Sequence, residues 1–204
     1  MEIFVPVIAI IASYLVGSLS FSYIIAKKIK KVDIREHGSG NAGATNTLRV
    51  LGVGPAITVL LLDVAKGVAA VLVTVAITGP GLVPALAGLA AILGHNWPVY
   101  YGFRGGKGVA TTIGALASLA FIPALIGGGV AIATIAITRF VSLGSLLFML
   151  TTTIAIILLK NTYDYPMSYF YLAWVVTVLS FWRHRANISR LVQGKESKLG
   201  QKKA

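Results

Sequence analysis

Three polar stretches hold nearly all the side chains that could do chemistry in this chain of 204 residues. In the first, Asp33–Arg49, Gly38, Gly40 and Gly43 alternate with Ser39, Asn41, Thr45 and Asn46, between Arg35 and Arg49. Glycines let the backbone approach a ligand, hydroxyls and amides donate hydrogen bonds, and guanidinium groups grip anions in a fork. The segment reads as an anion cradle, with a flexible solvated loop as the plain alternative. In the second, Gly94–Thr111, Arg104, Gly105, Gly106, Lys107 and Gly108 stand directly before an uncharged apolar run. A helix start preceded by glycines seats phosphate through its open N–H groups and its dipole. It is not a nucleotide P-loop, which would need Gly at 101 and Ser or Thr at 108, where Tyr101 and Gly108 stand. In the third, Arg183–Glu196, a continuous helix would put Arg183, Asn187 and Arg190 on one face, with His184 beside Asn187. A basic stop at a membrane surface would look the same.

Other chemistries lack their residues. The chain has no cysteine, so thiolate catalysis, iron–sulfur clusters and Cys-rich zinc sites are excluded. Carboxylates are too sparse and scattered for metal-dependent phosphotransfer, and no metal site is expected. No Gly-x-Ser-x-Gly elbow surrounds any serine. The His-x4-Asp pattern fails too, because Ala42, Tyr100 and Ser189 stand five residues after His37, His95 and His184. Asp63 and Lys66, three apart in an apolar stretch, must pair or reach a polar cavity, whether for structure or for function. His95 either hydrogen-bonds the adjoining loop or takes part in catalysis. Trp97, Tyr100 and Tyr101 read as a membrane-interface belt.

The elements that must position these segments are transmembrane helices. Hydrophobic residues make up 56% of the chain and charged ones 12%, about half the charged share of an ordinary soluble domain. Its 18 Lys and Arg against 6 Asp and Glu could suggest nucleic acid, but long charge-free stretches point to a membrane instead. Ile3–Ala26, 53–78, 82–100, 140–159 and 166–182 are apolar spans, the first too long and without the basic start of a cleavable signal. Gly108–Thr138 carries no charge and would be roughly 46 Å long as one helix. Pro123 and Gly127–Gly129 favour a short helical hairpin over 109–138. With a hairpin, sixteen Lys and Arg fall on one face, leaving Lys160 on the other and Lys66 within a span. The positive-inside rule then selects an all-α polytopic membrane protein with seven transmembrane helices, N-terminus outside and C-terminus cytoplasmic. No repeat or linker divides residues 1–204, which read as one domain with a flexible basic tail over 197–204.

The runs GSGNAGATN (38–46), GHNWPVYYGFRGGKGVAT (94–111) and RHRANISRLVQGKE (183–196), in this order, resemble the bacterial acyl-phosphate:glycerol-3-phosphate acyltransferases. Asp63-x-x-Lys66-Gly67 and Arg139-Phe-Val-Ser142-Leu are similar to that family as well, so the resemblance covers essentially the whole chain. It implies a multi-pass enzyme of the bacterial inner (cytoplasmic) membrane, with its active site facing the cytoplasm. The implied reaction moves a fatty acyl group from acyl phosphate to the sn-1 hydroxyl of glycerol 3-phosphate, releasing lysophosphatidate and inorganic phosphate. This would be the first acylation of phospholipid synthesis. No cofactor, nucleic acid or protein partner is implied, and a monomer suffices; the partners are the two substrates and membrane lipid.

An acyl phosphate is already an activated mixed anhydride, so the missing enzyme nucleophile fits such a reaction. What remains is to hold two anions together, align hydroxyl with carbonyl and stabilise the oxyanion. Arg49, Lys107 and the Gly105, Gly106 and Gly108 backbone are expected to bind phosphate, with Ser39, Gly40, Asn41, Thr45, Asn46, Arg104 and Arg183 around it. His184 and Asn187 would bind or orient glycerol 3-phosphate, with Ser142 beside them by resemblance; with Lys107 these are the catalytic candidates. The resemblance suggests substrate-assisted proton transfer to an acyl-phosphate oxygen. An anion or phosphate channel or transporter is the competing reading. It would need a polar path to the outer face, where the loops offer little beyond Lys160 and Asp164.

Overall fold

The computed structural model describes residues 4–201. Its helices are α1 (Phe4–Gly17), α2 (Phe21–Lys30), α3 (Ala44–Leu51), α4 (Val53–Thr78), α5 (Leu82–Asn96), α6 (Val109–Leu119), α7 (Phe121–Thr138), α8 (Val141–Tyr163), α9 (Met167–Arg183) and α10 (Arg185–Val192). Single 3-10 turns lie at Ile34–Glu36 and Val99–Tyr101, and no strand occurs among the described residues. Five stretches are long and apolar enough to cross a membrane: Phe4–Lys30, Val53–Thr78, Leu82–Tyr101, Phe121–Thr138 and Val141–Tyr163. The all-helical membrane architecture is therefore as expected. Without any linker in the sequence, the chain nevertheless forms two compact units, Met1–Leu119 and Ala120–Ala204.

Three boundaries differ from the sequence reading. The first span, whose Ile3 lies outside the described residues, is not continuous but breaks between α1 and α2 at Ser18–Ser20. Serine hydroxyls bond back onto nearby carbonyls and weaken a helix; Ser18 Oγ donates to Tyr14 O at 2.9 Å. The uncharged stretch after Gly108 breaks at Ala120, not at the glycines, which continue inside α7. Pro123 falls in the first turn of α7, where a missing N–H costs no helical bond. The C-terminal segment is not one helix either: His184 ends α9 and starts α10, which separates Arg183 from the Asn187–Arg190 face.

Glycines set how closely the helices approach. In the first unit α1 packs on α5 and α4 on α6. A Cβ at Gly17 would strike the Ala91 carbonyl, and one at Gly94 the Tyr14 carbonyl. Gly67 meets Thr111 O and Gly114 meets Val64 O in the same reciprocal way. In the second unit Gly127 meets Thr152 and Phe148 while Gly144 meets Ile135, which locks α7 to α8. Between apolar helices in lipid the hydrophobic effect gives little net attraction, so close backbone packing of this kind holds them together. Large apolar side chains such as Ile132, Ile137 and Leu158 face outward, as lipid requires. At the end of the second unit, Leu199 N–H donates to Arg139 O at 2.7 Å, and Arg139 Nη2 donates back to Leu199 O at 2.7 Å. Part of the expected flexible tail is thus tied down; residues 202–204 lie outside the described residues.

Candidate active site

In the first unit the two glycine-bearing loops are brought together. Asp33 caps the 3-10 turn and its carboxylate pairs with Arg35 at 2.7 Å. The hydrogen bond from Arg35 holds the Asp33 carboxyl below the usual carboxylate range, against the opposing effect of burial. Arg35 then reaches across the loops: Nη1 donates to Tyr101 O at 2.7 Å, and the guanidinium lies 5.0 Å from the centre of the Tyr23 ring. Its charge therefore serves to tie the loops. Asn46 has a similar task. Its Nδ2 donates to Ile34 O and His37 O at 3.0 and 2.9 Å, and its Oδ1 accepts from Ser39 N–H at 2.7 Å. All of this amide's bonds shape the loop, where the sequence had suggested a donor to ligand. Ser39 and Gly40 are exposed on the rim, Asn41 and Thr45 are half-buried, and Arg49 stands exposed in the last turn of α3.

The second loop folds back over the end of α5. Gly106 N–H donates to His95 O at 3.1 Å. A Cβ at Gly105 would strike His95 O, and one at Gly106 would strike both the His95 ring and Ala42 O. Only glycine fits between the α5 terminus and the first loop. Gly108 adopts φ +78° and accepts Thr112 N–H at 2.8 Å, opening α6. Lys107 is half-buried and Arg104 exposed.

Sequence reasoning missed Asn96 here. It is 1% exposed, and neither its amide oxygen nor its nitrogen has a hydrogen-bond partner among the described residues. Its Oδ1 lies 2.8 Å from where a Cβ of Gly108 would sit. Its place beside His95 in the Gly94–Thr111 run was the available signal. Beneath the loop, Lys66 Nζ contacts Asp63 Oδ1 at 2.8 Å, Leu19 O at 2.8 Å and His95 Nδ1 at 2.9 Å, all deeply buried.

The second unit holds a separate cluster around Glu196, to which the sequence reading had given no role. Its Oε1 accepts from Ser142 Oγ at 2.8 Å and from Asn187 Nδ2 at 2.5 Å, and its Oε2 accepts from Arg190 Nε at 2.7 Å. Burial pushes this carboxyl up, but the three donors outweigh burial and hold it below the usual range. Ser142 and Asn187 are thus gathered, as expected, although on a carboxylate. His184, 2% exposed, has Nδ1 at 2.8 Å from the Ser180 carbonyl. A carbonyl only accepts, so Nδ1 carries the proton and a neutral ring keeps its lone pair on Nε2. Arg183 is half-buried at the end of α9. Among the described residues no group of three or more His, Cys, Asp or Glu could hold a metal.

These features define a membrane-integral helical protein with a glycine-lined pair of cationic loops in one unit and a polar His–Asn–Ser cluster in the other. The family model for glycerol-3-phosphate acyltransferase matches residues 7–194. The chain is 66% identical over 196 residues to a glycerol-3-phosphate acyltransferase of Halalkalibacterium halodurans, covering 95% of each chain. It is 64% identical to that of Shouchella clausii, covering 96% of each. It is also similar to the crystal structure of PlsY (YgiH), an integral membrane glycerol 3-phosphate acyltransferase, in its glycerol 3-phosphate form. The TM-score there is 0.88 at 38% identity, covering 96% of each chain. The lysophosphatidic acid form of that enzyme aligns with a TM-score of 0.85 at 37% identity. The chain belongs to the glycerol-3-phosphate acyltransferase family and is an enzyme of phospholipid synthesis, not the channel that the loops alone left open.

Proposed function

We propose that this enzyme transfers a fatty acyl group from acyl phosphate to the sn-1 hydroxyl of glycerol 3-phosphate. The hydroxyl oxygen attacks the acyl carbonyl, the carbon–oxygen bond to phosphate breaks, and the hydroxyl proton passes to a phosphate oxygen of the donor. Lysophosphatidate and inorganic phosphate leave. The observation that carries this reading is the Gly105–Gly108 loop, drawn so tightly over α5 and the first loop that only backbone fits. At a helix start, with Lys107 within it and the amide of Asn96 turned toward it, such a loop suits a phosphate group. Arg49 and Arg104 supply further positive charge at the rim, and Ser39, Gly40, Asn41 and Thr45 line it. In the second unit His184 and Asn187 bind or orient glycerol 3-phosphate, with Ser142 beside them, and Arg183 supplies positive charge for an anion.

No covalent acyl-enzyme is part of this route, since the anhydride is already activated and the protein's share is alignment and oxyanion stabilisation. Seven spans accommodate it: the broken α1–α2 pair, α4, α5, α6, α7, α8 and α9, with the basic loops and the C-terminus in the cytoplasm. The test is purified protein in lipid with palmitoyl phosphate and glycerol 3-phosphate, without ATP or added metal, beside palmitoyl-CoA as donor. Equimolar lysophosphatidate and phosphate from acyl phosphate alone is the expected result. Turnover with acyl-CoA only would overturn the assignment of the donor.

A further inference from the structure

The reaction as proposed leaves the most costly polar group in the membrane unused. Lys66 is 4% and Asp63 1% exposed, both inside α4. The Lys66 ammonium is ion-paired with Asp63 Oδ1 at 2.8 Å and lies 2.8 Å from the Leu19 carbonyl at the α1–α2 break and 2.9 Å from His95 Nδ1, which is itself 3.5 Å from Asp63 Oδ1. His95 Nδ1 faces an ammonium, which can only donate, at 2.9 Å and a carboxylate, which can only accept, at the longer 3.5 Å; the shorter contact makes this nitrogen the acceptor. A second positive charge on the imidazole, beside the ammonium, would also be repelled, whereas one carboxylate, one ammonium and one neutral ring give a buried cluster of zero net charge. The ring proton therefore sits on Nε2. That edge of the ring bears on Gly106, where a Cβ would strike both Nε2 and the Ala42 carbonyl of the first loop. On its other side His95 binds the same residue through its own carbonyl, which accepts Gly106 N–H at 3.1 Å.

We infer that Asp63, Lys66 and His95 form a positioning relay: the buried ion pair fixes the His95 tautomer, and His95 holds the Gly105–Gly108 loop in its phosphate-binding shape against the first loop. The inference rests on the phosphate reading of that loop. His95 is a positioning residue here, acting on substrate through Gly106. The break in the first span serves the same cluster. The Leu19 carbonyl, released from helical bonding at Ser18–Ser20, is the third acceptor that the ammonium needs.

The test compares His95→Gln, His95→Asn and His95→Phe with the parent protein. Glutamine can place an N–H where Nε2 stood, asparagine only near Nδ1, and phenylalanine neither. His95→Gln is expected to keep the KM values for acyl phosphate and for glycerol 3-phosphate both within about threefold. His95→Asn and His95→Phe should raise by about tenfold the KM of the substrate whose phosphate the loop holds, as the ring edge against Gly106 is lost and the loop loosens, with kcat changing less. Amide hydrogen exchange of the peptide spanning 103–110 should quicken in those two variants, and exchange in α7 and α8 should not. The double variant Asp63→Leu, Lys66→Met, which leaves no unpaired charge although the Leu19 carbonyl still loses its donor, should melt well above Lys66→Met alone yet keep the raised KM. Recovery of both stability and KM in the double variant would make the pair a structural bridge only and overturn the relay. So would unchanged exchange and KM in His95→Phe. A parent protein that neither binds nor acylates glycerol 3-phosphate would sink the functional reading instead, while loop exchange would still report on the relay.

Discussion

Asp63 and Glu196, the two buried carboxylates among the described residues, are neutralised in opposite ways. Asp63 lies within a membrane-spanning helix and meets a full positive charge from the same helix, Lys66, three residues on. Glu196 lies beyond the last helix and takes two neutral donors, Ser142 and Asn187, on one oxygen and the half-exposed Arg190 on the other. Deep in lipid, water cannot help an unpaired ion, so charge must be cancelled locally and completely. Near the aqueous edge, hydrogen bonds and a partly hydrated guanidinium suffice. The first arrangement fixes one loop from below. The second closes a chain end onto the start of α8 and onto α10, joining residues 54 apart in sequence.

Breaking each cluster should show that difference most clearly. Lys66→Met alone strands the Asp63 carboxylate in the membrane and orphans the Leu19 carbonyl, and should cost about 3–5 kcal/mol, read as a large drop in melting temperature in detergent or as failure to fold. Glu196→Ala leaves the Ser142 hydroxyl and the Asn187 amide buried without their acceptor, at a cost of about 2–3 kcal/mol. If Glu196→Ala proved the more damaging of the two, the contrast between ionic and hydrogen-bonded neutralisation would be wrong. Next in size is Gly106→Ala, whose Cβ would displace the His95 ring or the Ala42 carbonyl. A shift of the loop by about 1 Å should lower kcat/KM for glycerol 3-phosphate by about 100-fold, with only a modest change in melting. Steady-state kinetics beside a melting curve separates the two.

The comparison also shows what sequence can carry. Asp63 and Lys66 could be read as a pair because a helix of known period brings i and i+3 together, and the helix start after Gly108 because glycines there give way to an uncharged apolar run. The all-helical membrane class followed from the placement of charge. The Glu196 hub could not be read that way: no local period relates it to Ser142, and the break at His184 hides which residues of α10 face it. Asn46 shows the same limit from the other side. Its residue type suited a ligand donor, yet two carbonyls of its own loop take its hydrogens, a fact visible only once the loop is folded. The break at Ala120 was misplaced for a related reason. Gly127 is required by the approach of α8, not by a turn, and a glycine's type does not say which.

Acid should separate the clusters further. The folded Glu196 carboxyl is held below the ordinary range, so the stability it confers is complete above about pH 4.3, the ordinary Glu value. That contribution is lost as pH falls through the lower folded value. The difference in melting temperature between the parent and Glu196→Gln should therefore be constant near neutrality and shrink as pH drops from about 5 to 3. A difference that stayed constant to pH 3 would mean that the carboxylate charge contributes nothing to the closure.

The smallest effect expected is at Gly128, and it sharpens the contrast with Gly106 and Gly127. All three are glycines in apolar or glycine-rich surroundings, and composition does not distinguish them. Gly127 packs against Thr152 and Phe148, so a methyl group there must push α7 and α8 apart. A Cβ at Gly128 meets nothing within 4 Å, and the residue sits inside a regular helix. Alanine there removes backbone freedom from the unfolded chain without a clash, so Gly128→Ala should raise stability by about 0.5–1 kcal/mol or leave it unchanged, at full activity. Gly127→Ala should lower it by about 1–3 kcal/mol through overpacking. Melting curves of the two variants, made one residue apart in the same helix, test whether helix approach decides the role of each glycine; equal effects at both positions would count against it.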